Sequence, residues 1–483
     1  MILVEPEVNR PAPFYDVAIY GGGAAGISLA RALLGRGLRV GLFEAGGLEP
    51  SPLAPDHPYH GQSLGLPYAV AGTRLRYLGG TTNHWGGWCR PLDPCDFAER
   101  EHVPLSGWPI SRPDLEPYYE AALDVCEVST AHLGMDAFDH DFGYDGFLHR
   151  AIPEMRVKNF LFSTPTRFGI RYRQDLQDAE DLECFLNATL VRLQPTGGAI
   201  DKSVIKTSSG KSVEVAADCH VLAMGAIENA RALLNSKVAN GSDFVGRCFS
   251  DHLGFTIGTA LLDFSNRYFT HSVREGEHQL RVLPHLCLSE DLLREHRLCN
   301  LGLVINRRGQ LSLDALGLGV KGQFDRFSGG YKHEFRMLVR VENTPNPESR
   351  VTLVDELDPN GVPRVALDWK PNAFDYDCVD RLAELLPPLL ASAEGRLRVR
   401  RIEDGARRSG SYQAHHLGTT RMSADPSFGV VNANLQAHEV SNLFVLGSSV
   451  FPTFGFANPT LTIVALSLRL AEHLAGMSGK VNG

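Results

Sequence analysis

The sequence has no Cys-x-x-Cys pair, no apolar run approaching the roughly 18 residues that span a bilayer, and no excess of basic charge. Its nine cysteines, Cys89, Cys95, Cys126, Cys184, Cys219, Cys248, Cys287, Cys299 and Cys378, are scattered and odd in number, which argues against a disulfide framework and a zinc knuckle. The 47 Lys and Arg against 56 Asp and Glu leave a formal charge of -9, so no whole-chain positive field exists to hold a nucleic-acid backbone. Where arginines do gather, Arg396, Arg398, Arg400 and Arg401 alternate with Leu397 and Val399, the pattern of a strand's solvated face. The first ten residues carry Glu5 and Glu7 and lack the basic start and apolar run of a secretory signal. These absences lead us to expect a cytoplasmic protein with no membrane and no nucleic-acid partner. What remains, 483 residues at 43% apolar and 21% charged, is a soluble globular chain of about two domains.

Glycine is what the chain has in excess, 48 residues, and its clusters are informative. Asp16 to Tyr20 is a β-type run that ends in Gly21-Gly22-Gly23-Ala24-Ala25-Gly26, gives way to a helical pattern from Ile27 to Leu34, and is followed by an apolar strand, Leu38 to Phe43, closed by Glu44. Strand, glycine turn, helix, strand and acid in this order form a dinucleotide-binding fingerprint. Gly21 permits the tight turn, Gly23 lets backbone approach a pyrophosphate, and Gly26 allows the helix to pack on the strand. Phosphates then sit at a helix N-terminus beside Ala24 and Ala25. Glu44 suits the adenosine ribose hydroxyls and disfavours a 2′-phosphate.

Further strands and helices extend this unit. Cys184 to Leu193 is strand-like, Ile205 to Val215 contains the hairpin turn Ser208-Ser209-Gly210, and Val215 to Ala223 is a strand ending near Gly225, followed by a helix from Ile227 to Leu234. Leu443 to Leu446 is a strand closed by Gly447, and an amphipathic helix runs from about Pro459 to Ala475. Between these pieces, 255–264, 280–288, 301–305, 335–341, 351–354 and 365–369 read as strands, with a hairpin turn at Asp358-Pro359-Asn360-Gly361. A helix from Phe374 to Ala393 is expected to break or end early at Pro387 and Pro388.

Three more segments carry chemistry. Gly79-Gly80-Thr81-Thr82-Asn83-His84-Trp85-Gly86-Gly87-Trp88 offers backbone N–H groups and hydroxyls to a cofactor. The others are His415-His416-Leu417-Gly418-Thr419-Thr420-Arg421-Met422 and the stretch from Gly447-Ser448 to Asn458-Pro459-Thr460. With the glycine fingerprint and Glu44-Ala45-Gly46, these motifs, in this order from about residue 16 to 475, resemble the glucose-methanol-choline (GMC) oxidoreductase family, in particular its bacterial branch with pyranose oxidase, fructose dehydrogenase and gluconate dehydrogenase.

The resemblance implies an α/β chain (α+β overall) with a Rossmann-like FAD-binding domain of the glucose oxidase type, and a substrate domain with a mainly antiparallel sheet and flanking helices. It divides the chain into a discontinuous FAD domain, 1–95, 155–250 and 426–483, and a substrate domain, 96–154 and 251–425. It implies oxidation of an alcohol, a sugar, glycoside or polyol hydroxyl, by hydride transfer to flavin. His415 falls where the family keeps its catalytic base, and Asn458 where pyranose oxidase-like members keep the partner that orients the hydroxyl. The helix opening near Pro459 and Thr460 is expected to turn its positive end to the flavin. The 79–86 loop, Gly225, Gly447 and Ser448 would line the cofactor. Thr82-Asn83-His84-Trp85 is similar to the Ser-Thr-His-Trp segment in which pyranose oxidases join a histidine to the flavin. Asn83 departs from it, leaving a covalent bond through His84 and a histidine packed on the ring edge both open. Oxygen, a quinone or a redox protein would reoxidise the flavin.

His57 with His60 and His271 with His278 lack the company of a metal site, and Ser448-Ser449 lacks a hydrolase's G-x-S-x-G context. Two rivals stay open: a lyase of the same fold that keeps FAD as a structural part, and a flavin-binding protein without catalysis. A binding module would have no need for both His415 and Asn458.

Overall fold

A computed structural model describes residues 2–3, 14–142, 152–262, 271–307, 333–391, 397–402 and 410–478. Its first sheet is built on five parallel strands in the spatial order Leu182–Phe185, Val40–Phe43, Phe14–Tyr20, Ser212–Leu222, Leu443–Val445. In register, Tyr20 pairs with both Phe43 and Leu222, and Leu222 with Val445, so the strands end together and leave a crevice beyond their carboxyl ends. Val40–Phe43 is buried along its whole length, as a parallel strand covered on both faces should be. Helix Ala24–Leu33 packs against the C-terminal helix Thr460–Ser478.

Ser212–Leu222 also pairs antiparallel with Ala199–Lys206, and that strand with Thr189–Thr196, through the turn read at Ser208-Ser209-Gly210. The single strand expected over Cys184 to Leu193 is two. The chain turns at Asn187, which holds a left-handed φ of 53° and gives its N–H to Gly46.

Among the described residues the second sheet has nine strands, all antiparallel, with Leu397–Ile402, Leu253–Leu262, His333–Val341, Leu301–Arg307, His278–Leu288, Met155–Phe162 and Trp88–Cys89 side by side. The arginine-rich run at 397–402 is one of its strands; Arg396 lies outside the described residues. Met155–Phe162 and Trp88–Cys89, counted above with the cofactor segments, pair here. His271 and His278 lie on a hairpin of this sheet.

Helix Ala373–Ala391 packs on the second sheet and runs through Pro387 and Pro388 rather than ending at them. The reason is its buried stripe. Cys378, Val379, Leu382, Leu386 and Leu390 recur at helical spacing on both sides of the prolines, and this burial outweighs two missing N–H bonds near the helix end. A third sheet joins Arg350–Leu357, Pro363–Asp368 and Gly61–Ser63. Its hairpin is the turn read at Asp358, whose Oδ1 accepts from Asn360 and Val362 N–H at 2.7 and 3.0 Å. Asp358 Oδ2 takes Arg231 from helix Ala226–Ser236 at 2.9 Å, which fastens the hairpin beside the crevice. One buried apolar cluster includes strands of both large sheets, from Tyr15 to Leu474.

Candidate active site

The crevice at the ends of the parallel strands is a cleft walled by Gly21, Gly23, Ala24, Ala25, Glu44, Ala45, Gly80, Thr81, Thr82, Gly225, Gly447 and Ser448. The fingerprint glycines divide their tasks as close packing demands. A Cβ on Gly26 would lie 1.9 Å from Gly21 O, so only glycine lets the helix sit this near the strand, whereas a Cβ on Gly23 would meet nothing within 4 Å. Gly23 therefore opens onto the cleft. No side chain caps helix Ala24–Leu33 and its first turn holds no acid, which leaves its positive end to an anion. Glu44 is buried and pinned, Oε2 accepting from Gly22 N–H at 2.8 Å and Oε1 from Gly46 N–H at 2.7 Å. Its remaining lone pairs suit ribose hydroxyls. The donor set and the open glycine cradle fit a dinucleotide.

The loop at 79–86 splits into two roles. Gly80, Thr81 and Thr82 reach the cleft. Asn83 is buried and spent on the protein, Nδ2 donating to Leu78 O at 2.7 Å and Oδ1 accepting from Gly169 N–H at 3.1 Å. Gly79 packs on that amide. His84 and Gly86 are exposed, His84 edge-on to Tyr77 at 6.0 Å between ring centroids. Arg74, Glu228, Tyr59 and Arg76 also wall the cleft without belonging to any motif. Arg74 binds Glu228 at 2.5 Å, and although burial pushes Glu228 upward, Arg231 and Arg74 hold it below the usual carboxylate range.

His415 and Asn458 sit beside this cleft in a polar cluster assembled by strand pairing. Ser411–Tyr412 pairs with Leu253–Gly254, and Ser250 bridges to Leu417, so Asp251 and His252 lie opposite His415. Asp251 Oδ1 accepts the backbone N–H of His252 and of His415 at 2.7 and 2.9 Å, and Oδ2 accepts the Tyr68 hydroxyl at 2.7 Å. The two imidazoles meet Nδ1 to Nδ1 at 2.9 Å, so one proton is shared between them. Asp251, His252 and His415 are metal-ligand types close enough to share an ion, but these hydrogen bonds already engage the carboxylate and both Nδ1 atoms.

Asn458 is placed from the other side. Glu342, held by Arg100 at 2.8 Å, accepts from Phe454 and Gly455 N–H at 3.1 and 3.3 Å and so anchors the loop leading to it. Arg340 Nη1, two residues before Glu342, donates to Asn458 Oδ1 at 3.0 Å. Guanidinium is donor-only, which fixes the amide with Oδ1 on Arg340 and Nδ2 free to donate elsewhere. Pro459 and Thr460 follow at the start of the final helix, whose Ile463 reaches the cleft wall.

Burial, and then the Arg340 charge, push the His415 conjugate acid down to about 3, so it is a neutral imidazole at ordinary pH. His416 points the other way, onto the cleft wall, with Nε2 3.0 Å from Thr73 Oγ1. Asp251, His252 and Arg340 were not singled out from the sequence. The signal that could have found them is weak: a lone Asp-His before a strand, and an arginine on a strand's polar face.

Residues 345–467 match the family model described as GMC oxidoreductase. The 6'''-hydroxyparomomycin C oxidase of Streptomyces lividus is 26% identical across 95% of this chain and 92% of its own. The 2-methyl-1,2-propanediol dehydrogenase of Mycolicibacterium austroafricanum is 24% identical across 95% of each. The chain thus carries a GMC oxidoreductase domain at 345–467 and is similar to oxidases and dehydrogenases over nearly its whole length. The solved structure of pyridoxine 4-oxidase from Mesorbium loti has the same fold, with a TM-score of 0.58 and 18% identity over 95% of this chain and 98% of that one. The chain is an oxidoreductase acting on CH–OH groups, with the α/β architecture expected from its motifs. Among the described residues, no helix is long and apolar enough to cross a membrane.

Proposed function

We propose that this chain is a GMC oxidoreductase that oxidises a sugar, glycoside or polyol hydroxyl to a carbonyl, with His415 as general base and Asn458 as the group that orients the reacting oxygen. The observation that carries this reading is that Arg340 bonds Asn458 while its charge reaches His415, whose neighbour His416 lines the dinucleotide cleft. FAD, when bound, supplies the hydride acceptor. It would be held by Glu44 at the ribose, by the fingerprint turn at the pyrophosphate, and by Gly80, Thr81, Thr82, Gly447 and Ser448 along the cleft.

The residues then divide the proton work. His415 takes the hydroxyl proton on Nε2, which requires that its own proton sit on Nδ1 and be donated to His252. His252 must in turn carry its proton on Nε2, a buried atom without a hydrogen-bond partner among the described residues. Asn458 Nδ2 donates to the substrate oxygen as it gains negative charge. The hydroxyl loses a proton to His415 and the carbinol carbon a hydride, leaving C=O.

The supporting experiment is anaerobic titration of the purified flavoprotein with sugars, polyols and simple alcohols while the flavin absorbance is followed, then admission of air or a quinone to identify the acceptor. Bleaching is expected; none with any alcohol would favour a lyase or binding role. We read the flavin as non-covalent at the exposed His84, so acid precipitation should release it to the supernatant, and a yellow pellet would establish the bond instead. The division into FAD and substrate segments is part of this reading, with 155–162 contributing a strand to the substrate-side sheet. Nine free cysteines fit the reducing cytoplasm we assign.

A further inference from the structure

Among the described residues Arg340 is a partly buried cation without a counter-charge. On strand His333–Val341 the residues Phe335, Met337, Val339 and Val341 point into the core, so Arg340 shares the opposite face with Arg336. Arg336 is exposed, but Arg340 is partly buried: its guanidinium lies 4.7 Å from the centre of the Trp88 ring, and Nη1 donates to Asn458. The buried arginines elsewhere are satisfied: Arg421, also without an acid, gives its terminal nitrogens to the Phe428 and Leu105 carbonyls, and others meet acids. Arg90 meets Asp93, Arg100 meets Glu342 and Arg231 meets Asp358. Among the described residues Arg340 makes no ion pair, and the titratable neighbours that feel its charge are His252, His285 and His415, each held neutral by burial first and by Arg340 second or third. Burial alone drags Arg340 itself down to about 10. An interior charge left without a partner is costly, and proteins keep one where a ligand completes it.

We propose that Arg340 is an anion subsite of the substrate pocket, and that the alcohol oxidised here carries a carboxylate or phosphate near its reacting hydroxyl. This rests on the reading of His415 and Asn458 given above. A cavity borders Arg340 together with Trp88, Thr256, Ser411 and Gln413, with Leu283 and Val304 as apolar walls. Of the five guanidinium donors one is committed to Asn458, and the planar fork matches carboxylate and phosphate oxygens. Trp88 holds the plane in place by stacking. An anion at this point also cancels the charge that weakens His415 as a base, so the imidazole gains basicity only when the right substrate is bound. A cationic amino sugar is repelled from the same place.

The test uses the purified flavoprotein and one pyranose scaffold in four forms: the neutral sugar, its uronic acid, its 6-phosphate and its amino sugar. Anaerobic flavin reduction should show kcat/KM at least about tenfold higher for the acid or the phosphate than for the neutral sugar, and the better of the two identifies the anion. Acetate and inorganic phosphate, which cannot be oxidised, should perturb the flavin spectrum on titration. In Arg340→Gln the anionic-to-neutral selectivity ratio should fall to about one and the spectral perturbation should vanish. Arg340→Lys, which keeps the charge, should retain part of both. A wild-type enzyme indifferent to the substrate's charge, or an Arg340→Gln enzyme with an unchanged ratio, would overturn the proposal. If no alcohol bleaches the flavin, the proposed function fails, while loss of the acetate or phosphate response in Arg340→Gln still decides the subsite.

Discussion

A base must be neutral before it can take a proton, and His415 meets that condition because burial and Arg340 hold its conjugate acid near 3. Flavin reduction should therefore show no titration of His415 between about pH 5 and 9 in the free enzyme, checked by rapid-mixing rates at low substrate. His415→Ala should keep its flavin and reduce it roughly a hundredfold more slowly or worse; a normal rate would remove His415 from the mechanism. Asn458→Asp exchanges the Nδ2 donor for a carboxylate that would ion-pair with Arg340, so reduction should slow, and a faster enzyme would show that its role has been misread. At this scale the sequence was informative where residues fall in motifs and silent elsewhere. His415 and Asn458 stand in recognisable strings. Asp251, His252 and Arg340 reach the site through pairings such as Leu253 with Tyr412 and the bond to Asn458, which no local pattern encodes.

Among the elements, the fingerprint turn separates folding from cofactor binding. Gly26→Ala drives a methyl into the Gly21 carbonyl 1.9 Å away, so the helix must leave the strand, at a cost of about 1–3 kcal/mol or more. Gly23→Ala meets nothing in the protein and instead fills the space where a pyrophosphate would approach. The first should lower the melting temperature of the protein stripped of flavin; the second should leave it unchanged and lower the flavin-to-protein absorbance ratio. Equal loss of stability in both would show that the turn serves folding alone. Strand and helix identities were legible because their periods and their Gly and Pro boundaries are local. Helix Ala373–Ala391 shows the limit. Its prolines argue for a stop, and only the packing of Leu386 and Leu390 against the sheet explains why it continues.

The whole molecule adds what neither residue nor element contains, a continuous core that closes over polar groups and sets how the protein responds to acid. His220, on strand Ser212–Leu222, is fully buried, with Nδ1 2.7 Å from the Tyr20 hydroxyl, and burial pushes it down to about 4. His252 is also fully buried and lies well below its ordinary value, through burial and then its neighbours His415 and Arg340. For both, the unfolded chain binds a proton below about pH 6.5 that the folded protein refuses. Stability is therefore complete above that pH and is lost as pH falls from about 6.5 toward 4, by about 1.4 kcal/mol per pH unit for each histidine. The melting midpoint of the flavoprotein should drop steadily between pH 7 and 5. His220→Gln, which keeps a polar group near Tyr20 but cannot be protonated, should make that drop shallower by one histidine's share, and an unchanged pH dependence would show that the acid sensitivity arises elsewhere. His252→Gln should flatten the same curve and also slow flavin reduction, because it removes the partner that sets the His415 proton. That double effect distinguishes the histidine inside the active cluster from the one that only completes the core.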